Sequence, residues 1–243
     1  MNFQDIEYAG FRSWPAMEES EQGGVVLRFS DGYTKRANSA NILTRQEGNY
    51  HPLVSRCERY FEERGVPCIF RLPSFCNNGE FDQYLTDINY QFTDRSLVLS
   101  RSLEGAAFDN QTLILKGRRD WLASFCRISG TDINRHEAHL DILERINDEV
   151  LMAVLVENDK DVACGVGVIS NGYFGLYDLV TESSSRKQGY ATKLLNGMLS
   201  WAVSMGASTA YLQVVADNHG AINLYKKLSY EYSYEYWYRV RRK

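Results

Sequence analysis

The stretch YFGLYDLVTESSSRKQGYAT, residues 173–192, is the most informative part of the sequence, because it reads as a strand, a polar turn and the start of a helix. Small or apolar residues then recur at spacings of three, four and seven over 191–205, which is the pattern of one helix face. At a helix N-terminus about four backbone N–H groups lack an intrahelical partner, and the helix dipole favours an anion such as phosphate. Gly189 has no Cβ and would let a ligand approach the backbone, and Arg186 and Lys187 add positive charge.

Two short motifs resemble those of the GNAT N-acetyltransferases. The acyl-CoA-binding fingerprint of that superfamily is Arg or Gln, two residues, Gly, one residue, then Gly or Ala, and residues 186–191 (RKQGYA) match it. A glycine-led helix start without a ligand is the alternative interpretation of this motif alone. A second family segment, AxNxxAxxxYxxxGF, keeps its register downstream, although Ser229 and Tyr230 replace the usual Gly-Phe. The matching positions of that segment are Ala216, Asn218, Ala221, Tyr225 and Leu228.

The resemblance implies an α/β (α+β) fold with a mixed central sheet flanked by helices, with acetyl-CoA as co-substrate and no metal. The diphosphate would lie on the amides of 188–192. The splayed strand end at Leu179 and Val180 would offer backbone groups to the pantetheine arm and the thioester oxygen. Asn218 would hydrogen-bond the pantetheine or, equally, cap the following helix. The implied cofactor-binding set is Leu179, Val180, Thr181, Arg186, Lys187, Gln188, Gly189, Tyr190, Ala191, Thr192 and Asn218.

Two residues are candidates for catalysis. Tyr225 matches the family tyrosine that protonates the departing thiolate; a phenol titrates at about 10 and a thiol at about 8.5, so donation is only mildly uphill. The alternative is a tyrosine that only packs against the cofactor. Asp178 lies beside the expected thioester site and is the candidate base, or a carboxylate that attracts a cationic amine, with Glu182 and Tyr177 in reserve.

The resemblance and these residues predict an N-acetyltransferase that moves an acetyl group from acetyl-CoA to a primary amine of a small molecule or a peptide. The transfer would proceed by direct attack in a ternary complex, because no cysteine holds a position that suggests an acyl-enzyme. The alternative function is a non-catalytic, acyl-CoA-binding regulatory module.

The composition narrows the class of protein. The 243 residues are 44% hydrophobic and carry a net charge of −4, so we expect a packed core and no general nucleic-acid binding. No apolar run approaches 18 residues and the first ten residues lack a secretory pattern, which predicts no membrane span and a cytoplasmic location. The five cysteines have irregular spacing without C-x-x-C, which predicts reduced, mostly buried thiols.

The two halves of the chain share a pattern at an offset of 140 residues. Gly32-Tyr33 align with Gly172-Tyr173, and the remaining matches are Leu72 with Leu212, Asn78 with Asn218, and Tyr90 with Tyr230. Because the identity between the two halves is low elsewhere, chance similarity is the alternative explanation of these matches. The first half lacks both the glycine turn and the tyrosine, so we predict a degenerate GNAT-like domain over 1–105 that shapes the acceptor cleft. The acetyltransferase domain would cover 106–243, after a small, polar linker over 100–110.

Local patterns complete the expectations. Residues 25–29 and 33–37 read as a hairpin with Arg28 in solvent. A helix over 133–147 carries His136, Glu137 and His139; a solvated face is favoured there over a metal site, since the H-E-x-x-H spacing is absent. Tyrosines alternate along the last strand, 230–240, which places them on one sheet face and allows a homodimer. Further helices are expected at 50–64, 79–89, 119–127 and 219–228, and further strands at 66–72, 91–99, 112–115, 150–156, 162–169 and 208–215.

Overall fold

One mixed sheet of eleven strands runs through the residues that this computed structural model describes, 2–109 and 111–241. The strands are β1 (Glu18–Gln22), β2 (Val25–Phe29), β3 (Ser39–Ile42), β4 (Ile69–Pro73), β5 (Tyr90–Ser102), β6 (Ile114–Leu115), β7 (Glu149–Glu157), β8 (Lys160–Ser170), β9 (Tyr173–Thr181), β10 (Thr209–Val215) and β11 (Glu231–Arg241). The helices are α1 (Phe3–Ser13), α2 (His51–Glu62), α3 (Gly79–Asp87), α4 (Arg118–Ser129), α5 (Glu137–Glu144), α6 (Tyr190–Ser204) and α7 (His219–Lys227). The predicted α/β class with a mixed sheet is confirmed.

The last strands of the two halves are exchanged within the sheet, whose order is β1-β2-β3-β4-β11-β5-β10-β9-β8-β7-β6. The final strand β11 lies between β4 and β5, antiparallel to both, with Tyr238 opposite Arg71. In turn β5 pairs with β10, with Leu99 opposite Leu212. Each half therefore contributes a strand that completes the sheet of the other.

The offset of 140 residues is visible in the coordinates. Helices α3 and α7 begin and end at equivalent positions, and α2 overlaps α6 in the same register. The backbone also repeats, since Asn89 (φ 68°) and Ser229 (φ 60°) both turn left-handed just before the last strand of each half. The predicted arrangement of two GNAT-like halves is thus confirmed for the fold, whereas the domain boundary at 105/106 stays a prediction.

Alternating burial along the strands builds two cores, one on each face of the sheet. In β7, Met152 and Val154 pack on one face with α1, α4 and α5, while Leu151 and Ala153 pack on the other against α6. Successive residues of a central strand point to opposite faces, and helices cover both faces. Positions on both faces are therefore apolar, which explains the continuous hydrophobic runs of these strands.

Several local predictions are wrong. The partner of β2 in its hairpin is β3, with Val25 opposite Ile42, because residues 35–37 form a 3₁₀ turn instead of a strand. The Arg28 side chain is buried, not solvated, since it donates to main-chain carbonyls inside the protein. Residues 100–102 belong to β5 rather than to a linker, and Asn110, at the end of the expected linker, lies outside the described residues. Helix α1 and strand β1 had no counterpart in the prediction.

The tyrosine stripe does not stay on one face. A register shift between Tyr232 and Tyr234 in the pairing with β5 moves the later tyrosines to the opposite side of the sheet. Tyr230 packs with the α6 side, Tyr234 packs with the α1 side, and Tyr232 is 59% exposed. Residues 236–240 of β11 pair with β4 on one edge and with β5 on the other, so this part of the strand is not free to pair across a dimer, and a homodimer stays a prediction.

In the part of the chain that the structure describes, every helix is too short or too polar to cross a bilayer.

Candidate active site

A cleft of about 730 Å³ opens on the α6 face, between the end of β9, the turn that follows it, and helices α6 and α7. It brings together ten of the eleven residues of the expected cofactor-binding set, all except Gln188, and also Tyr225. Gln188 instead supports the turn, because its side-chain amide donates to the carbonyl of Ser184 at 3.2 Å.

The turn before α6 leaves main-chain donors facing the cleft. Gly189 is the N-cap at φ 85°, and no side chain caps this helix end. The amide of Lys193 is the first to bond within the helix, to the carbonyl of Gly189 at 3.0 Å, so those of residues 190–192 have no intrahelical partner. A Cβ built on Gly189 meets no atom within 4 Å. This end of α6 has the geometry of an anion site.

Strand β9 parts from its neighbour beside this cleft. Its parallel pairing with β10 ends at Leu176 opposite Leu212, although β9 continues to Thr181. On the other edge, Asp178 and Leu179 together oppose the single residue Gly165, and Asp178 adopts φ 49°. This bulge bends the strand end, and the absence of a Cβ at Gly165 leaves room for the Leu179 side chain, whose Cδ2 would lie 2.5 Å from such a Cβ.

Tyr225 lies at the inner wall of the cleft, and only 8% of its surface is exposed. Burial raises the pKa of Tyr225 to about 12, so the phenol is protonated at neutral pH. Its hydroxyl makes no hydrogen bond to another described residue, which leaves it available to a ligand. Asn218 caps α7, since its Oδ1 accepts from the amide of Ala221 at 3.1 Å; its side-chain nitrogen stays free among the described residues.

Asp178 is not part of the cleft and points to the other side of β9. Its Oδ2 accepts from Nε2 of His139 at 2.8 Å. The network continues beyond His139, since its Nδ1 lies 3.3 Å from Nδ1 of His136, and Nε2 of His136 lies 3.1 Å from the hydroxyl of Thr131. Burial and then the neighbouring His139 lower the pKa of His136, which is therefore neutral at pH 7. This series of hydrogen bonds orients the Asp178 carboxylate.

The expectation of a solvated histidine face is therefore wrong for His139, which is 1% exposed. The predicted helix over 133–147 is a 3₁₀ turn followed by the shorter α5, and the ring of His139 packs edge-on against Phe125. Across the residues described, no three His, Cys, Asp or Glu side chains converge as metal ligands would.

The reserve candidates for the base are engaged elsewhere. Tyr177 is 4% exposed and its hydroxyl hydrogen-bonds that of Tyr211 at 2.7 Å, while burial raises the pKa of Tyr177. Glu182 accepts from the hydroxyl of Ser185 at 2.9 Å. The Asp178 side chain is 23% exposed, and its carboxylate binds His139.

Residues of the first half, which the sequence did not indicate, surround Asp178. Trp14 stacks on Tyr177 with ring centroids 5.8 Å apart, and Tyr33 stacks on His139 at 5.6 Å. The guanidinium of Arg36 lies 5.5 Å from the Trp14 ring and 5.8 Å from the Tyr177 ring. We call Trp14, Tyr33, Arg36 and Tyr177 the aromatic patch. The sequence had indicated two members of this patch, Tyr33 through the repeat match and Tyr177 as a reserve base, but neither Trp14 nor Arg36.

A splayed strand beside an open helix N-terminus, in a mixed sheet, defines the GNAT class of N-acetyltransferase. The chain belongs to the Rv0428c C-terminal family: the model of that family, described as "Probable histone acetyltransferase Rv0428c C-terminal", matches residues 2–239. The protein is thus an acyltransferase enzyme of the GNAT superfamily, as the motifs predicted.

The chain is similar to known proteins over nearly its whole length. It is 27% identical to an uncharacterized N-acetyltransferase, YobR, of Bacillus subtilis, with 99% of both chains covered. Its fold matches a GCN5-related N-acetyltransferase from Kribbella flavida (TM-score 0.75, 15% identity, 98% of this chain and 95% of the other). It also matches a tandem GNAT protein of the clavulanic acid biosynthesis pathway (TM-score 0.66, 10% identity, 97% and 87% covered).

Proposed function

We propose that the protein transfers an acetyl group from acetyl-CoA to a primary amine of a small molecule or a peptide, by direct attack in a ternary complex. The observation that carries the proposal is the convergence of free α6 amides, the parted end of β9 and the Tyr225 hydroxyl on one cleft.

Each part of the cleft has a task in this reaction. The amides of residues 190–192 and the cations Arg186 and Lys187 bind the diphosphate, and the unpaired backbone of β9 near Leu179 and Val180 binds the pantetheine arm and polarises the thioester carbonyl. Main-chain donors held in place for developing negative charge contribute on the order of 3 kcal/mol each. Tyr225 then protonates the thiolate that leaves.

In this proposal the acceptor amine binds on the opposite side of β9, at Asp178. This carboxylate attracts the ammonium form and takes its proton, directly or through water, so that a neutral amine attacks the thioester carbon. In this proposal the first half, 1–105, supplies Trp14, Tyr33 and Arg36 of the aromatic patch that walls the acceptor, and the second half, 106–243, supplies Tyr177 and the cofactor cleft. A thiol-release assay with acetyl-CoA over a panel of amines tests the proposal. Acetyl-CoA binding without thiol release on any amine would favour a regulatory module.

The five cysteines support direct attack rather than an acyl-enzyme. All of them are buried, and burial raises the pKa of Cys57 and Cys76 to about 12. A thiol that stays protonated and buried is a poor nucleophile. We expect initial-rate lines for the two substrates to intersect, and iodoacetamide at pH 7 to leave the native enzyme active. Parallel lines together with rapid inactivation would contradict the ternary complex.

We expect Gly189→Ala to weaken acetyl-CoA binding about tenfold or more, because the new Cβ and the strained backbone disturb the amides that face the diphosphate. The matched control is Gly206→Ala at the far end of α6. Gly206 has φ 82° against 85° for Gly189, and neither Cβ would meet an atom within 4 Å. Both variants lose about 1–2 kcal/mol of stability from the left-handed backbone.

Isothermal titration with acetyl-CoA separates the two effects of this pair. Only the variant at Gly189 should lose affinity, whereas thermal unfolding should shift similarly in both. Equal affinities in the two variants would show that the start of α6 does not bind the diphosphate.

A further inference from the structure

Arg36 is a half-buried cation whose charge is not neutralised by a counter-ion among the described residues. Among the described residues its guanidinium has no hydrogen bond and no ion pair, and it lies against the rings of Trp14 and Tyr177. Burial opposes the charge, but the phenols of Tyr236, Tyr238 and Tyr177 and the carboxylate of Asp178 outweigh it, so the pKa of Arg36 is raised. A guanidinium offers five N–H donors in a plane that suits a carboxylate.

The position of Arg36 is fixed by a second arginine. The buried Arg28 donates from Nη1 to the carbonyl of Arg36 at 2.8 Å, and from Nη2 to the carbonyls of Trp14 at 2.6 Å and Phe11 at 3.1 Å. The Arg28 side chain therefore holds the backbone of Arg36 and also the backbone of Trp14, whose ring Arg36 contacts. A buried arginine is costly unless its N–H groups are hydrogen-bonded, as those of Arg28 are. We therefore interpret this arrangement as a preorganised binding site rather than a surface loop.

Asp178 presents the opposite charge on the same patch. Its Oδ2 is bound to His139, and Oδ1 has no partner among the described residues. Asp178 and Arg36 influence each other electrostatically, yet no ion pair within 4.0 Å joins them. Neither charge neutralises the other at contact distance, so a ligand with a cationic and an anionic end can bridge the two.

The patch is adjacent to the cleft that the proposed function assigns to acetyl-CoA. Asp178 precedes Leu179, which lines the cofactor cleft, and the pairing of β9 with β10 has already ended at Leu176. A group held at Asp178 thus reaches the thioester through the gap beside β9, while the remainder of the molecule extends towards Arg36.

We propose that the acceptor is a small zwitterion of the amino-acid type, with its ammonium group on Asp178 and its carboxylate on Arg36. This inference rests on the proposed acetyl transfer. Asp178 takes one proton from the ammonium group, the amine nitrogen bonds to the carbonyl carbon, the C–S bond breaks, and the thiolate takes the proton of Tyr225. The second proton lost by the nitrogen restores the phenol, and Asp178 returns its proton to solvent.

The test compares each amino acid with its amide and with its decarboxylated amine in the thiol-release assay. We expect kcat/KM to favour the carboxylated member of each set by about tenfold or more, because the other members cannot form the charge-assisted hydrogen bond to Arg36. Equal values across the sets, with thiol release intact, would overturn the inference and leave the acetyltransferase proposal standing. No release with any amine would refute the acetyltransferase proposal instead. A clear preference for an aminoalkyl phosphonate over the amino acid would mean that Arg36 binds a phosphonate rather than a carboxylate.

Variants at Arg36 locate the effect. In Arg36→Met the KM for the amino acid should rise at least tenfold while kcat and the KM for the amide change little, and Arg36→Lys should recover part of the loss. The control is Arg45→Met, since Arg45 is exposed and its ion pair with Glu47 lies on the surface. An unchanged KM in Arg36→Met would overturn the assignment, and the wild-type comparison decides the matter if that variant does not fold.

Discussion

Replacing Tyr225 with phenylalanine should lower kcat at least tenfold and leave the affinity for acetyl-CoA nearly unchanged. The substitution removes only the hydroxyl, which is the proposed proton donor to the thiolate, and general acid catalysis contributes about 10²–10⁴-fold. The ring still fills its place beside Tyr230, 6.0 Å away, so the wall of the cleft is preserved. Because this hydroxyl has no hydrogen-bond partner among the described residues, its removal should cost little stability. Steady-state kinetics and isothermal titration measure the two quantities.

The control for this variant is Tyr232→Phe, because Tyr232 is 59% exposed and does not line the cleft. An unchanged kcat in Tyr225→Phe would discard the acid role and leave a packing tyrosine. The pH profile adds a second check. Since the raised pKa of about 12 keeps the phenol protonated below about pH 11, loss of this acid should not limit the wild-type rate between pH 7 and 10.

The second large effect concerns stability, and we expect Glu7→Ala to lower the free energy of unfolding by about 3–5 kcal/mol. Glu7 and Arg71 form an ion pair whose side chains are each 1% exposed, and Glu7 also accepts from the hydroxyl of Tyr234. Removing the carboxylate would leave the Arg71 cation buried beneath helix α1 without a counter-ion. Urea unfolding followed by circular dichroism measures the loss.

A surface pair provides the comparison. Glu18→Gln breaks the Glu18–Arg64 pair, in which the carboxylate is 50% exposed, and should cost less than about 1 kcal/mol. The double variant Glu7→Leu/Arg71→Met should be more stable than Glu7→Ala, because no buried charge is then left alone. If Glu7→Ala unfolds like the wild type, the pair is not a determinant of stability.

The sequence predicted the second half of the fold well because its signals are local. A strand, a glycine turn and an apolar helix face occur in one stretch, so Gly189 and the start of α6 follow from periodicity and backbone chemistry alone. The Asp178 bulge was not predictable, since it depends on Gly165 in a neighbouring strand. The exchange of β5 and β11 was hidden for the same reason: strand pairing is decided by the whole sheet.

The acceptor side was the least predictable part of the site. Trp14 and Arg36 come from a half without a recognisable motif, and only the tertiary fold brings them to Asp178. Arg28 and His139 were misread because a charged or polar residue in a pattern is usually solvated. Each is buried here by partners distant in sequence, which are main-chain carbonyls for Arg28 and a carboxylate for His139.

The position of β11 has a consequence for how the protein is made. On the ribosome, β4 and β5 emerge long before Glu231, the first residue of the strand that must lie between them. Until β11 has been synthesised, the edges of β4 and β5 that face it are unpaired, and unpaired strand edges are templates for wrong association. A product truncated before β11 would lack the strand that joins β4 to β5, so the sheet of the first half is completed only after most of the second half has been translated.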